Sequence, residues 1–156
     1  MYSKATYAND GNTFTQSSTY YGHEHWWQVD LGRNFWISRI EILFLKADRY
    51  KNLSIYTRGM EIDDWDLCYL KVQHKRTRLI RTTCVNNERN DTYFLPRTRF
   101  VRIMVHDTEK EIVLELAEVK IYGNETRGNV HLLFLSRRYN KVNFNNTYIA
   151  SHCLQT

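Results

Sequence analysis

Asp10-Gly11-Asn12 sets a carboxylate and an amide on either side of a glycine. This is a turn sequence, because Asp and Asn bond their own backbone and Gly accepts unusual dihedrals. It is also a loop that a hard cation could use. Calcium takes carboxylate, amide and carbonyl oxygens at ~2.3–2.6 Å from a tightly curved backbone. His23-x-His25 could offer two imidazoles on one strand face. No third ligand of matching type stands nearby, so a metal-free pair between loop and strand is the plainer reading. Asp63-Asp64-Trp65-Asp66 is as rich in carboxylates as glycoside hydrolysis requires. That chemistry needs one acid in an apolar pocket, and three acids in four residues describe a solvated loop. Trp26-Trp27 could stack on a sugar, but neighbours in a strand point to opposite faces. No nucleophile elbow or phosphate loop occurs, so an enzyme is the least supported class.

The basic residues Lys71, Lys75, Arg76, Arg78 and Arg81 have no acid between them. Nucleic-acid binding would want aromatics interleaved with them or a known motif. Only Val72 and Leu79-Ile80 interrupt the run, so a solvated loop is expected, with an anionic glycan or lipid headgroup as the other reading. The formal net charge is +5, of which the segment from residue 124 onward carries +3.

These groups need a scaffold, and the pattern supplies strands. Trp26–Leu31 alternates and ends in a Gly32-Arg33-Asn34 turn; a β-rich run follows from Ile37 to Leu45. Leu53–Tyr56 and Leu67–Val72 are shorter, while Phe100–Val105 and Leu114–Tyr122 alternate more cleanly. Short β-branched and aromatic runs separated by turns predict an all-β sandwich. With 156 residues, 42% hydrophobic and 14% aromatic, the chain has material for one globular domain. No run approaches the ~18 apolar residues of a membrane span. The longest apolar stretch, Val130–Leu135, is broken by His131. The start, Met1-Tyr2-Ser3-Lys4, is polar, so no signal sequence is read within this chain. After Gly123 the pattern weakens, which divides the chain into a domain over 3–123 and a tail over 124–156.

The order of landmarks carries a resemblance. Tyr7–Thr13, Trp26–Gly32, Ile37–Ile42, Arg99–Ile103 and Leu114–Gly123 follow one another as in the F-type (fucolectin-like) lectins. That family is related to discoidin and coagulation-factor C-type galactose-binding-like domains. The resemblance implies a jelly-roll β-sandwich of the galactose-binding-domain-like kind, here lacking its first strand. It also implies calcium as cofactor, held by the side chains of Asp10, Asn12 and Glu118, the carbonyls of Tyr7 and Ala117, and the hydroxyl of Ser17 or Ser18. The family often has cysteine where Ala117 stands, so one loop staple is missing.

F-type lectins grip fucose with a His and, later, Arg-x-Asp and a further basic residue. Here Lys46 stands for the Arg and Asp48 is kept, with Lys51 near the second basic place and Tyr50 as an aromatic substitute. Thr19 occupies the place of the His. Lysine keeps the charge but loses the two-pronged donor, so a degenerate fucose site is expected. A surface ion pair is the alternative for Lys46 and Asp48. The family further implies a Cys68–Cys84 disulfide, with two unpaired thiols as the alternative and Cys153 left over. The absence of Cys-x-x-Cys excludes a zinc ribbon. A bridge points to an oxidising, extracellular setting, and sequons at Asn52, Asn90, Asn124 and Asn145 agree. The expected function is a calcium-supported carbohydrate-binding, lectin-like module without catalysis, secreted or part of an ectodomain. Glycans or glycoproteins are the expected partners, with no nucleic acid and no membrane within this chain; a homo-oligomer is left open. The alternative is a discoidin-like adhesion domain that binds protein or lipid.

Overall fold

The computed structural model describes residues 3–46, 52–71, 77–83, 97–107 and 111–124, with short strands at 131–132 and 152–155. Its ordered elements are a 3-10 turn, Ala5–Asn9, and ten strands: β1 (Ser17–Ser18), β2 (Glu24–Leu43), β3 (Leu53–Arg58), β4 (Asp66–Lys71), β5 (Leu79–Thr82), β6 (Thr98–His106), β7 (Glu115–Leu116), β8 (Glu118–Asn124), β9 (His131–Leu132) and β10 (His152–Gln155). Strands pair in the order β4-β3-β6-β2-β8-β9, with β5 and β10 also on β2, and β1 pairs with β7. Among the described residues every pairing between these strands is antiparallel. The chain is an all-β sandwich of antiparallel strands, as the alternating runs predict.

The long β2 belongs to both sheets. Its first part pairs with β6 and β10, and its second with β8 and β5. The expected turn at Gly32–Asn34 is a bend inside one strand. Gly32 takes φ 81° and its N–H donates to the Asp30 carboxylate at 2.7 Å, so the chain changes direction without leaving the sheet. A second irregularity between Ile37 and Arg39 shifts the alternation by one residue. Phe35 and Ile37 before it, and Ile40 and Ile42 after it, therefore all face the core. A bulge does this by placing two residues opposite one. Trp27, Val29, Ile55, Ile103, Val119 and Ile121 are fully buried and join them in one cluster. Each such side chain contributes about 1.5–3 kcal/mol by leaving water.

Two expectations change. The run from Leu114 to Tyr122 is broken at Ala117, whose N–H leaves the ladder to donate to Leu43 O at 2.8 Å. Leu79–Thr82, expected within a solvated basic loop, is strand β5, with Ile80 buried opposite Ile42 and Arg81 bonded to Glu41. One buried isoleucine on the right register was enough to draw that segment into the sheet. Beyond Gly123, β9 pairs with β8 and β10 with Trp27–Asp30 of β2.

Candidate functional site

Loops gather at one end of the sandwich. Leu43 at the end of β2 meets Ala117; Leu114 meets Thr19; Gly22 exchanges bonds of 3.1 and 2.7 Å with Ile112; and the Asn52 carbonyl accepts from His106. Residues 10–23, 43–46, 52, 106–107 and 111–118 thus share this end.

The 3-10 turn Ala5–Asn9 delivers Asp10 to it. The turn is anchored from below: the buried Trp27 donates from Nε1 to Ala5 O at 2.9 Å. Asp10 Oδ1 accepts from the Asn12 N–H at 2.8 Å, and the Thr15 hydroxyl lies 2.8 Å from Oδ2. Gly11 takes φ 74°, which turns its N–H to Glu118 Oε2 at 3.1 Å. Glu118, the first residue of β8, is only 3% exposed. Burial first, then the Asp10 charge, raise its pKa to about 7 against the smaller pull of the Gly11 N–H.

Asp10 and Glu118 are thus brought together across the chain. Ser17 and Ser18 are buried on β1, paired with Leu116 and Glu115 just before Ala117 and Glu118. Tyr7 lies in the turn, its N–H bonded to Lys4 O. Asn12 is turned into its own loop: its Oδ1 accepts from the Phe14 N–H at 3.1 Å and the residue is exposed. Among the described residues no three His, Cys, Asp or Glu side chains converge on one point. The donors brought together are therefore the two carboxylates of Asp10 and Glu118. Oxygen donors of this kind suit a hard cation.

Lys46 is exposed at the same end, beyond Phe44. Asp48, Tyr50, Lys51 and Cys84 lie outside the described residues, and Cys68 is buried on β4. The sequence reading missed Tyr20 and Tyr21, which are 66% and 72% exposed. Their loop is pinned on both sides. Thr19, 2% exposed, accepts the Leu114 N–H on its hydroxyl at 3.0 Å, and Gly22 is bonded to Ile112. Tyr20 and Tyr21 are thus two adjacent exposed aromatics between a buried threonine and a pinned glycine. Adjacent tyrosines in a predicted loop were the available signal.

The other candidates resolve differently. His23 bonds through Nδ1 to Asp107 O at 2.9 Å, while His25 is buried on β2. Asp63 Oδ2 accepts from the Met60 N–H, closing an exposed turn. Trp27 belongs to the core, and Trp26 lies on the opposite face beneath Arg102.

The architecture defines a galactose-binding-like β-sandwich. The family model described as NedA-like, galactose-binding domain, of the F5/F8 type C kind, matches residues 7–95, and the chain belongs to that family. The kinship with coagulation-factor C-type domains therefore holds at family level. No curated protein matches the sequence. The CpGH89CBM32-6 module of Clostridium perfringens is similar in structure, with a TM-score of 0.60 at 19% identity, over 75% of this chain and 82% of that one. So is chitosan-binding module 1 from a chitosanase/glucanase of Paenibacillus sp. IK-5, with a TM-score of 0.59 at 20% identity, over 77% and 85%. CBM32-1 from a family 31 glycoside hydrolase of Clostridium perfringens matches with a TM-score of 0.53 at 12% identity, over 79% and 84%. At these identities the likeness is one of fold.

Proposed function

We propose that this domain is a non-catalytic carbohydrate-binding module whose loop end is supported by calcium. The observation that carries the reading is the buried Glu118 carboxylate, held to Gly11 and beside Asp10. Two carboxylates that raise each other's energy at the hinge of a loop gain most from a cation between them. Asp10 and Glu118 would hold it, with Tyr7, Asn12, Ser17, Ser18 and Ala117 as the sources of further oxygens. Bound there, calcium would supply rigidity, fixing the Asp10 loop against β8 beside the Thr19–Gly22 loop.

The sugar would stack on Tyr20 and Tyr21, whose exposed faces suit the apolar side of a pyranose, with Lys46 as a hydrogen-bond donor. The modules similar in fold include one named for chitosan binding, which fits a sugar ligand here. The fucose site is degenerate in this reading, because Lys46 cannot fork as arginine does and Thr19 is buried under its own loop. An extracellular setting and glycoprotein partners belong to the same reading, as does a Cys68–Cys84 bridge. What supports the bridge is that Cys68 is buried on β4.

A glycan array probed with calcium and then with EGTA tests the proposal. Glycan signals that fall in EGTA, and in Tyr20→Ala and Tyr21→Ala, are expected. An array silent in both conditions, alongside binding to protein or lipid partners, would instead favour a discoidin-like adhesion domain. Calorimetry with L-fucose should register no strong binding; tight binding lost in Lys46→Ala would reverse the degenerate-site assignment.

A further inference from the structure

Strand alternation and register put a second set of groups on the outer face of the β4-β3-β6-β2 sheet. Across the strands Gln28 stands opposite Arg102 and Arg102 opposite Tyr56; one pair along, Asp30 faces Phe100 and Phe100 faces Arg58. Trp65, just before β4, folds over them. The Arg102 guanidinium lies 4.7 Å from the centre of the Trp26 ring and 4.3 Å from that of Trp65. The Arg58 guanidinium lies 4.4 Å from Trp65 and 5.0 Å from Phe100. Two cations thus share one indole, each with a second aromatic ring within 5 Å.

Their hydrogen bonds leave the charge unmatched. Arg102 donates from Nε and Nη2 to the single amide oxygen of Gln28, at 3.1 and 2.8 Å. Arg58 donates from Nη1 to the Glu61 carbonyl at 2.9 Å, and its Nε has no acceptor. Both acceptors are neutral, and among the described residues neither arginine has a carboxylate partner. Other arginines do: Arg99 forks onto Asp30 and Arg81 reaches Glu41. Burial, then the charge of Arg58, lower the pKa of Arg102, against a smaller opposite pull from Glu24. Two like charges beside one indole, bonded only to neutral acceptors, are suited to an anion. A carboxylate or sulfate can take donors from two guanidiniums at once.

We propose that Arg58, Trp65 and Arg102 form a second saccharide site, for a carboxylate- or sulfate-bearing sugar, on the sheet face rather than at the loop end. The choice of a saccharide rests on the carbohydrate-binding reading above. The anion would lie along the guanidinium edges, with the Trp65 edge and Tyr56 flanking the sugar ring.

The test uses the full chain, labelled with nitrogen-15, and follows the arginine Nε–H signals. A heparin-derived tetrasaccharide supplies sulfate, a trigalacturonate supplies carboxylate, and lactose is the neutral control. The Arg58 and Arg102 signals should move with at least one acidic sugar and not with lactose, equally in calcium and in EGTA. The Arg58→Gln, Arg102→Gln double variant should bind that sugar roughly tenfold or more weakly. Should that variant fail to fold, the wild-type signals decide. The proposal is overturned if neither acidic sugar binds, if binding leaves both signals unmoved, or if the double variant binds as wild type. It also falls if single-stranded DNA moves the same signals at lower concentration than either sugar. Failure of the loop-end reading would appear elsewhere, as glycan signals insensitive to EGTA and to Tyr20→Ala.

Discussion

The loop end and the sheet face each hold a pair of like charges, and the two pairs are stabilised by opposite means. At the loop end, Glu118 is buried beside Asp10 and receives one backbone N–H. On the sheet face, Arg58 and Arg102 remain half-buried, with indole and phenyl rings over them. A carboxylate has a way out of an unfavourable site, since it can take a proton near neutral pH. A guanidinium does not, because its pKa stays far above any working pH. The acid pair is thus sensitive to protons and cations. The arginine pair responds to anions and salt.

The largest effect expected from this contrast is a pH dependence confined to the acid pair. Because the folded pKa of Glu118 is raised, the folded chain holds a proton that the unfolded chain releases between the ordinary carboxylate range and pH about 7. Stability must therefore fall as pH rises through that window. The loss is on the order of 3 kcal/mol, at ~1.4 kcal/mol for each pKa unit. Denaturant melts in EGTA from pH 4.5 to 8 should record it, and Glu118→Gln should flatten the curve. A wild-type curve equally flat would mean that the carboxylate is better solvated than its burial implies. Calcium should act in the opposite sense at pH 7, adding about 2.7 kcal/mol at a hundred times its dissociation constant. Glu118→Ala and Asp10→Ala should each abolish that gain, while Arg102→Ala should keep it.

The two regions also differed in how far the sequence announced them. Asp10-Gly11-Asn12 is local, and its turn chemistry could be read from three residues; Glu118 was reached through the ordered landmarks of a family. The alternation of Phe100–Val105 was enough to place β6. Arg58, Trp65 and Arg102 had no such signal. They are far apart in sequence, and the strand register that aligns them depends on long-range pairing that periodicity does not specify. Trp65 was read only as part of an acidic loop, although its ring is what links the two arginines. β5 was lost for a related reason: five basic residues around Leu79-Ile80 outweighed two aliphatics until the partner strand was known. Ile80 decides it, because its register places it opposite Ile42 in the core.

A smaller effect distinguishes stacking from charge on the sheet face. Arg102→Ala removes a cation close to two indoles together with its bonds to Gln28 and its apolar stem. A stacked cation is worth ~0.5–2 kcal/mol depending on its exposure, and the stem adds packing. A loss of about 1–2 kcal/mol is expected, independent of pH from 5 to 8. Trp65→Ala combined with Arg102→Ala should fall short of the sum of the single losses, since each removes half of the same contact. Additive losses would mean that the ring and the guanidinium are neighbours without being partners.

The smallest expected effect lies at the bend of β2, where a third arginine has the carboxylate that the other two lack. Arg99 donates from Nε and Nη2 to the two oxygens of Asp30, at 2.8 Å each, but its side chain is 39% exposed. Its pKa is raised, chiefly by that bond to Asp30. Water screens a pair so placed, so Arg99→Ala should lose only ~0.2–1 kcal/mol, and less in high salt. Asp30 does more than pair, because the same Oδ1 accepts the Gly32 N–H at 2.7 Å where β2 changes direction. Asp30→Ala should therefore cost more than Arg99→Ala, by about the 0.5–1.5 kcal/mol of one hydrogen bond. Asp30→Asn, which keeps an oxygen for Gly32 while giving up the charge, should fall between them. Urea melts of the three variants at low and high salt measure this. If Arg99→Ala equals Asp30→Ala, the ion pair and not the turn bond holds the bend.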